Sequence, residues 1–597
     1  MKRITLLMLS VLAVFAACTP ENNPGGGNSG KPVVLTEMPF TKGVNISDWF
    51  LQVNESYLTK DKYTEKDFKD IVSLGFEAIR LPIGFHHFTG PAPAYDLSDN
   101  FFDILDYAVD LAEKCGLYII LDNHTYFGSD VFPPAYGEAQ LIRVWEQMAA
   151  RYKNRSELVI YEVMNEPGGS YMEKNWYDMQ TRFLQTIRAI DPKHTVIVKG
   201  VGDGRERLSE IPVYEDKNLI YSFHFYATHL FTHQKPSWDS TSPTHDLKSP
   251  VPFPYDAARM PEKPVSFAGT DFEDYYNNYV TYGTAAYIKQ CIDEAGNFGF
   301  ERGVPVFCGE FGVLNNGFVE SKDRANWHQA CVNAFALNQI GWTIWDYNTD
   351  FSMFEGSPIF EQNLNVDLLK ALGLKVPPAY ENGKAPELQI YDDVLANYAK
   401  NTSYNGSESE SNSYYAVNYE YKDRPFEGIN CIEWAIPSAE ENNTSYCSLQ
   451  FTFWPVADFS KQFDSDYYLE FMIRCDKPVD NLFVRFQYWN SDRGNNHRAW
   501  RNVYILGNNS TFAEGVFASN GSWNKISIPM NKFYIKGNND RNPWVEEGEY
   551  DDYVAANPDQ TWDWNHINKI EFSTEGNKAL KGVKIYIDDV RICESTK

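Results

Sequence analysis

Residues 159–167 read Val-Ile-Tyr-Glu-Val-Met-Asn-Glu-Pro, a mostly apolar run that ends in two polar side chains and a proline. A short apolar run of this kind predicts a buried strand. Comparable runs recur between residues 40 and 376, separated by stretches with a helical stripe of apolar side chains. The predicted strands are 42–46, 78–83, 118–124, 159–166, 195–201, 219–226, 305–311 and 341–347, and the predicted helices include 102–115, 139–152, 175–190 and 325–339. Eight such units predict an α/β fold, a (β/α)8 TIM barrel.

Six of the predicted strands end in polar or aromatic side chains. In a (β/α)8 barrel the functional groups lie at the carboxyl ends of the strands. The residues at these ends are Arg80, His124, Asn165 with Glu166, His224 with Tyr226, Glu310, and Trp345. Each of them alone has an ordinary structural interpretation, as a solvated charge, a core histidine or a packed ring. Taken together, they predict one polar site at the mouth of the barrel.

In the order and position of these motifs, residues 39–376 resemble glycoside hydrolase family 5, the cellulase-like family. The motifs that carry the resemblance are Ile79-Arg80-Leu81-Pro82, Leu121-Asp122-Asn123-His124, Asn165-Glu166-Pro167, Phe223-His224-Phe225-Tyr226, Cys308-Gly309-Glu310-Phe311-Gly312 and Trp342-Thr343-Ile344-Trp345. The resemblance implies a retaining β-glycoside hydrolase in which Glu166 is the acid/base and Glu310 is the nucleophile. That chemistry requires one protonated carboxyl and one carboxylate, about 5–5.5 Å apart.

The resemblance also assigns roles to residues beside the glutamates. Arg80 and Tyr226 would orient Glu310 and keep it ionised, because a neighbouring cation and a phenol hydrogen bond both favour the charged form. Asn165 would bind the 2-hydroxyl group of the sugar, a contact that strengthens in the transition state.

The remaining strand-end residues are implied to contact the substrate. His124 and His224 would form hydrogen bonds with sugar hydroxyls or with the glutamates. Trp345 would form the floor beneath the sugar that is cleaved. Members of the family often place a further histidine after the second strand, and the sequence leaves His86 and His87 as alternatives.

A long insertion, residues 231–272, follows the sixth strand and is rich in proline, serine and aromatic residues. A loop of that length is uncommon unless it shapes a site, so we expect it to form a wall of the cleft. Trp238, Phe351 and Trp49 are either sugar-binding aromatics or core residues. Thr125 stands where the family often has a second histidine, which leaves one peripheral sugar contact open.

Residues 388–597 are rich in Asn, Ser, Tyr and Trp, with alternating strands at 448–454, 468–473, 482–488, 523–529, 569–573 and 583–587. This pattern predicts an antiparallel, jelly-roll-like β-sandwich. The segment resembles carbohydrate-binding modules in style, and exposed tryptophans on a strand face would stack on sugar rings. The candidates, of which about half are expected to be core, are Trp489, Trp500, Trp523, Trp544, Trp562 and Trp564.

The first residues have the pattern of an export signal. Met1-Lys2-Arg3 precedes an apolar run, 4–17, that is too short to span a bilayer. The run ends in Phe15-Ala16-Ala17-Cys18, which resembles a bacterial lipobox and predicts a lipid on Cys18; ordinary cleavage is the alternative. Residues 19–38 are predicted to be a flexible tether between this anchor and a catalytic domain at 39–380. The protein is therefore expected at the outer membrane or cell surface.

Metal and redox chemistry find little support in the sequence. The cysteines show no CxxC pattern, and neither HExxH nor a strand-end HxH pair is present. We therefore predict no metal and no cofactor. Among the cysteines, Cys431 and Cys447 are the best candidates for a disulfide.

The formal net charge of −28 argues against nucleic acids and polyanionic substrates, because such ligands are bound through Lys and Arg. A neutral polysaccharide carries no such penalty. The family resemblance favours a β-1,4-glucan or a related glucan, cut internally by a monomeric enzyme. A β-mannanase of the same fold and a non-catalytic glycan-binding lipoprotein are the alternatives.

Overall fold

A computed structural model describes the chain in the following segments. They are 35–51, 55–125, 134–381, 387–392, 394–396, 399–401, 417–436, 448–463, 466–475, 477, 479, 482–489, 498–506, 521–533, 564–573 and 582–594. Cys18, Cys447, Trp544 and Trp562 lie outside these residues, as does the predicted tether up to residue 34.

Eight parallel strands form a closed barrel in which each strand pairs with the next and β8 pairs with β1. The strands are β1 (Lys42–Asn45), β2 (Ala78–Ile83), β3 (Tyr118–Asn123), β4 (Val159–Glu162), β5 (Thr195–Lys199), β6 (Leu219–Phe225), β7 (Val306–Phe311) and β8 (Gly341–Ile344). The predicted TIM barrel is confirmed. The strand β4 is shorter than expected, so Asn165 and Glu166 lie just beyond its carboxyl end.

The helices, of which the four predicted ones are present but begin three to six residues earlier than expected, surround the barrel. They are α1 (Glu65–Leu74), α2 (Asp99–Cys115), α3 (Pro134–Tyr152), α4 (Gly169–Ile190), α5 (His229–Thr232), α6 (Asp271–Asn277), α7 (Tyr279–Tyr282), α8 (Ala285–Arg302), α9 (Ser321–Leu337), α10 (Val366–Ala371) and α11 (Pro378–Glu381). The helix α2 shows why the local sequence folds this way. The Ser98 side chain accepts from the Phe101 backbone N–H at its start, and Gly116 ends it with φ 72°.

Two antiparallel sheets follow the barrel. Their strands, with one further short helix, α12 (Ser460–Phe463), are β9 (Leu388–Asp392), β10 (Val394–Leu395), β11 (Ala399–Asn401), β12 (Val417–Tyr421), β13 (Cys431–Ala435), β14 (Ser448–Ala457), β15 (Tyr467–Cys475), β16 (Leu482–Trp489), β17 (Arg498–Leu506), β18 (Asn524–Pro529), β19 (Ile567–Ser573) and β20 (Lys584–Glu594). Side chains from both sheets share one core, for example Trp434 and Ile587 from the first and Phe451 and Phe572 from the second. This agrees with the predicted all-β fold.

The barrel and the sheets meet at the segment after β8. Ile359 is fully buried in the core of the two sheets, and the Ser357 hydroxyl donates to the backbone oxygen of Val456 at 2.6 Å. Cys431 is a buried free thiol, contrary to the predicted pairing with Cys447. Among the described helices, none is long and apolar enough to cross a bilayer.

Candidate active site

Arg80 lies on β2 at the centre of a buried polar cluster, and it contacts side chains from five segments of the barrel. It donates hydrogen bonds to Asn45 (3.1 Å), both carboxylate oxygens of Glu162 (2.7 and 3.1 Å), Asn165 (2.8 Å) and Glu310 (2.8 Å), and it forms an ion pair with Asp122 (2.9 Å). Only a planar guanidinium offers enough donors in a fixed fork to bind so many acceptors at once. The side chain is fully buried, so these contacts replace its hydration.

The charges in this cluster stabilise one another. Burial alone would lower the pKa of Arg80, but the carboxylates of Asp122, Glu162 and Glu310 raise it well above its usual value. Burial raises the pKa of Glu162, and the contact with Arg80 acts in the opposite direction. The guanidinium therefore stays charged and supplies the positive charge that the buried carboxylates need.

Glu310 lies near the carboxyl end of β7 and has two donors. Arg80 contacts its Oε1 atom, and the Tyr226 hydroxyl donates to Oε2 at 2.9 Å. A register shift between β6 and β7 sets His224 opposite Glu310. Gly309 allows this approach, because a Cβ atom there would sit 3.0 Å from His224 Nε2.

Glu166 faces this pair from the loop after β4. His224 Nδ1 lies 2.6 Å from Glu166 Oε1 and 3.5 Å from Glu310 Oε2, so one imidazole touches both carboxylates. Burial lowers the pKa of His224 well below its usual value, which keeps the ring neutral. The two carboxyl groups differ in exposure, at 38% for the Glu166 side chain and 6% for Glu310.

The two glutamates and His224 form one compact group. Facing atoms of the three side chains all lie within 4.8 Å of one another, close enough to hold a metal ion. The other contacts of Glu310 argue against that use. Its oxygens already accept from Tyr226 and from Arg80, and a guanidinium 2.8 Å away repels a second cation. The arrangement is better suited to proton transfer and nucleophilic attack.

Two family descriptions match the chain. The description "Cellulase (glycosyl hydrolase family 5)" matches residues 29–351, which is more than half of the sequence. The protein belongs to glycosyl hydrolase family 5. A second description, "Carbohydrate binding domain 30", matches residues 387–594, the part that contains the two antiparallel sheets. The chain therefore joins a glycoside hydrolase barrel to a carbohydrate-binding domain.

Individual relatives of this family 5 chain include named endoglucanases. Endoglucanase 3 of Fibrobacter succinogenes is 28% identical over 365 residues, which are 56% of this chain and 53% of the relative. Endoglucanase C of Acetivibrio thermocellus is 23% identical over 346 residues, covering 55% of this chain and 97% of the relative. The chain thus spans about half the length of Endoglucanase 3. Endoglucanase Cel5A of Thermotoga maritima is 24% identical in a solved structure with a TM-score of 0.46, covering 56% of this chain and 96% of that one.

The other predicted residues of the family 5 site lie around the glutamates. Asn165 Oδ1 accepts from Arg80, which can only donate, so the Asn165 amide N–H groups face away from Arg80. His124 Nδ1 lies 2.7 Å from Asp122 Oδ2, and the His124 ring stacks on Trp345 with centroids 5.7 Å apart. All eight predicted site residues of the barrel thus belong to one cluster.

The aromatic candidates separate into core and surface. Trp49 is fully buried against Phe50 and Tyr63, so it is a core residue and not a sugar-binding one. Phe351 is buried, with its ring centroid 5.9 Å from that of Trp238, and Trp238 is 54% exposed on the insertion after β6. The rings of His86 and His87 lie side by side after β2, with centroids 3.7 Å apart, and both are half-buried.

Among the six candidate tryptophans of the C-terminal domain, two have described side chains. Trp564 is 6% exposed and stacks on Phe463 at 4.7 Å, so it belongs to the core. Trp523 is half-buried; its indole N–H donates to the Arg424 backbone, and Arg474 lies over its ring at 5.1 Å. The side chains of Trp489 and Trp500 lie outside the described set.

Four polar residues of the cluster are absent from the sequence-based prediction: Asn45, Asp122, Glu162 and Lys199. A signal for two of them exists, because side chains that point into the barrel alternate along each strand. Asp122 lies two residues before His124, on the same face of β3. Glu162 holds the same kind of position on β4, in register with Asp122. No comparable pattern in the sequence points to Asn45 or Lys199.

Proposed function

We propose that this protein is a retaining, endo-acting β-glycoside hydrolase that cleaves a β-1,4-glucan or a related glucan. Glu166 is the acid/base and Glu310 is the nucleophile. The proposal rests on one distance: the facing carboxylate oxygens of Glu166 and Glu310 lie within 4.8 Å of each other. Retaining glycosidases have carboxyls about 5–5.5 Å apart, whereas inverting enzymes leave about 6.5–9.5 Å for a water molecule.

In the first step Glu310 attacks the anomeric carbon and forms a glycosyl ester, while the bond to the leaving oxygen breaks. Glu166 gives that oxygen its proton. Arg80 and Tyr226 hold the Glu310 carboxylate in place, because both donate to it. In the second step water loses a proton to Glu166 and displaces Glu310, which restores both groups and the original anomeric configuration.

The amide of Asn165 and the stacked pair of His124 and Trp345 provide the sugar contacts. Because Arg80 takes the Asn165 oxygen, the Asn165 N–H groups are the donors left for the 2-hydroxyl. The ring of Trp345 offers an apolar face for the C–H face of a pyranose. Beyond it, Phe351 and the exposed Trp238 extend the aromatic surface along the wall formed by the insertion.

The choice of a glucan rests on the named relatives, whose descriptions are those of endoglucanases. The carbohydrate-binding domain supports a polymeric substrate, since it would keep the enzyme at a polysaccharide. The net charge of −28 favours a neutral polymer for the same reason that it disfavours polyanions.

Activity on purified polysaccharides tests the proposal. New reducing ends should appear on β-1,4-glucan, mixed-linkage glucan or xyloglucan, and Glu310→Ala should abolish them while azide partly restores turnover. Glu301→Ala is the matched control, an exposed carboxylate in the last turn of α8, and should be fully active. Full activity of Glu310→Ala, products of inverted configuration, or cleavage of mannan alone would refute the proposal.

The chain is further proposed to be exported and lipidated on Cys18, as the Phe15-Ala16-Ala17-Cys18 pattern suggests. A membrane anchor would hold the enzyme at the cell surface, where polymers too large to enter the cell are degraded. Metabolic labelling with a fatty acid tests this point. The wild-type chain should incorporate label and Cys18→Ser should not; equal labelling of both would refute it.

A further inference from the structure

Arg324 is a buried arginine on α9, outside the polar cluster around the glutamates. It is 1% exposed, and in the described part of the chain no carboxylate forms an ion pair with it. Its hydrogen bonds go to three backbone carbonyls. Nε donates to Val313 at 3.2 Å, and Nη2 donates to Phe351 at 3.3 Å and to Ser352 at 3.1 Å. Burial lowers the pKa of Arg324 to about 10, with Glu355 acting in the opposite direction, so the guanidinium is still charged at neutral pH.

The three carbonyls belong to two loops at the mouth of the barrel. Val313 lies three residues after Glu310, beyond the end of β7. Phe351 and Ser352 belong to the loop after β8, which begins with Trp345. A buried cation without a carboxylate partner is unfavourable for stability, because its lost hydration is only partly replaced. Stability alone therefore does not explain this arginine, whereas the connection between the two loops does.

The Asn315 side chain makes a second connection between the same loops. Its Nδ2 donates to the carbonyls of Ser352 at 3.2 Å and Phe354 at 2.8 Å. Its backbone N–H donates to the Asp350 carbonyl at 2.8 Å. Arg324 and Asn315 together are called the loop clamp below.

The clamped backbone lies directly against the site. A Cβ atom on Gly312 would sit 2.3 Å from the Trp345 carbonyl oxygen and 3.1 Å from the Phe351 ring, so the two loops leave no room for a side chain between them. The Phe351 ring centroid lies 6.0 Å from that of Tyr226, whose hydroxyl donates to Glu310. A shift of the loop after β8 would therefore displace both the Trp345 floor and the ring behind Tyr226.

We propose that Arg324, assisted by Asn315, is a positioning residue that fixes the loops after β7 and β8 in the arrangement that places Trp345 and Phe351 around the substrate. A guanidinium suits this task, because its donors point in fixed directions from one plane. Loops that are already ordered lose less entropy when the substrate binds, so the clamp should act mainly on KM. The inference rests on the proposed glycoside hydrolysis, but the order of the two loops can be measured on the resting protein.

Hydrogen exchange of the full-length chain, followed by mass spectrometry, measures the loops directly. Arg324→Met keeps a long apolar stem and removes all donors, and it leaves no unpaired charge, because the partners are neutral carbonyls. Peptides that span 311–316 and 347–354 should exchange faster in this variant. Asn315→Ala, which keeps the arginine, should have the same effect to a smaller degree and decides the matter if Arg324→Met does not fold. Unchanged exchange of both peptides in the folded variants would overturn the inference.

Arg302→Met is the matched control, because Arg302 makes the same kind of contact away from the site. It lies in the last turn of α8, and its Nη1 and Nη2 donate to the carbonyls of Ile211 at 2.7 Å and Ser209 at 2.9 Å. The helix α8 ends just before β7, at the amino end of the barrel strands, so this variant should leave the exchange of the two loops unchanged. Equally fast exchange of these loops in Arg302→Met would mean a general loss of stability and would refute a clamp specific to Arg324.

Kinetics on a soluble β-1,4-glucan give a readout that a purely structural role would not move. A variant that is merely less stable has fewer folded molecules, which lowers the apparent kcat and leaves KM unchanged. Arg324→Met should instead raise KM about 10-fold, and Arg324→Lys, which keeps some of the donors, should recover part of that loss. A lower kcat at the wild-type KM would refute the positioning role. If the wild type cleaves no glucan, the proposed function fails, and the exchange measurement still decides whether the clamp orders the loops.

Discussion

Replacing Arg80 by lysine removes the centre of the site while keeping its charge. The guanidinium makes six contacts of 3.1 Å or less with five buried or nearly buried side chains, among them Glu310, Glu162 and Asp122. A lysine ammonium has three N–H donors, so at least three of these contacts must be lost. Position 80 should therefore tolerate lysine poorly, although the substitution keeps the positive charge.

The size of the effect follows from the burial. Breaking a buried ion pair costs about 3–5 kcal/mol in stability, because it leaves an uncompensated charge. We expect Arg80→Lys to lower the free energy of unfolding by about 3 kcal/mol, the low end of this range, because a cation is kept at the position. A charged hydrogen bond to Glu310 contributes about 2 kcal/mol, so its loss should lower kcat/KM by about 30-fold.

The assay combines urea unfolding with kcat/KM on a soluble glucan. Arg188→Lys is the matched control, because the Arg188 guanidinium also donates from two nitrogens at once. Its Nε donates to Asp216 at 2.7 Å, and its Nη1 donates to the His194 carbonyl at 2.7 Å. It lies before β5, at the opposite end of the barrel from the glutamates. It should lose stability and keep its activity. Wild-type kcat/KM in Arg80→Lys would refute the reasoning, as would an equal loss of activity in Arg188→Lys.

Three further predictions follow from other parts of the molecule. Glu166→Gln should reduce kcat/KM on natural glucans far more than on aryl glycosides with good leaving groups, and equal losses would contradict an acid role. Burial alone would raise the pKa of Asp191, but the His194 hydrogen bond and backbone donors lower it to about 2, below its usual 3.8. The ionised Asp191 carboxylate therefore stabilises the fold by about 2 kcal/mol above about pH 4, and this contribution is lost as the pH falls toward 2. In an acid titration, the circular dichroism signal of Asp191→Asn should change less steeply over that range than the signal of the wild type. Identical slopes for the two proteins would contradict this prediction. Ile359→Ala should cost about 2–4 kcal/mol in urea unfolding, and an unchanged midpoint would mean that this side chain does not join the barrel to the sheets.

The sequence predicts the barrel and the position of its site well, because both depend on local pattern. The apolar runs place eight strands within a few residues of their observed bounds, and the carboxyl ends of parallel strands meet at one face. Arg80 was expected beside Glu310, and it lies there. Its contacts with Glu162 and Asn45 were not predicted, because they depend on which side chains from different strands meet at one depth in the barrel.

Aromatic residues show the limit of sequence reasoning most clearly. Trp49 and Trp238 carry the same side chain, yet one is fully buried and the other is 54% exposed. Local pattern does not separate them, because burial depends on what packs above the ring. Trp49 lies under Tyr63 and Phe50, while Trp238 stands on an insertion whose course the sequence does not determine. Lys199 was missed for a related reason, since a lysine inside a strand is normally an edge or surface residue.

The junction between the barrel and the sheets bears on how the carbohydrate-binding domain would act. Ile359 is buried in the sandwich core. The same segment, after β8, begins with Trp345 and contains Phe351, whose ring centroid lies 6.0 Å from that of Tyr226. A domain on a flexible linker raises the local substrate concentration to a degree that linker length sets. Here the contact is a buried side chain, reinforced by the bond from Ser357 to Val456, and separating the domains would expose both. These contacts pack the sheets against the segment after β8, so a glycan bound to the sheets would be kept near the barrel by packing as well as by the connecting chain.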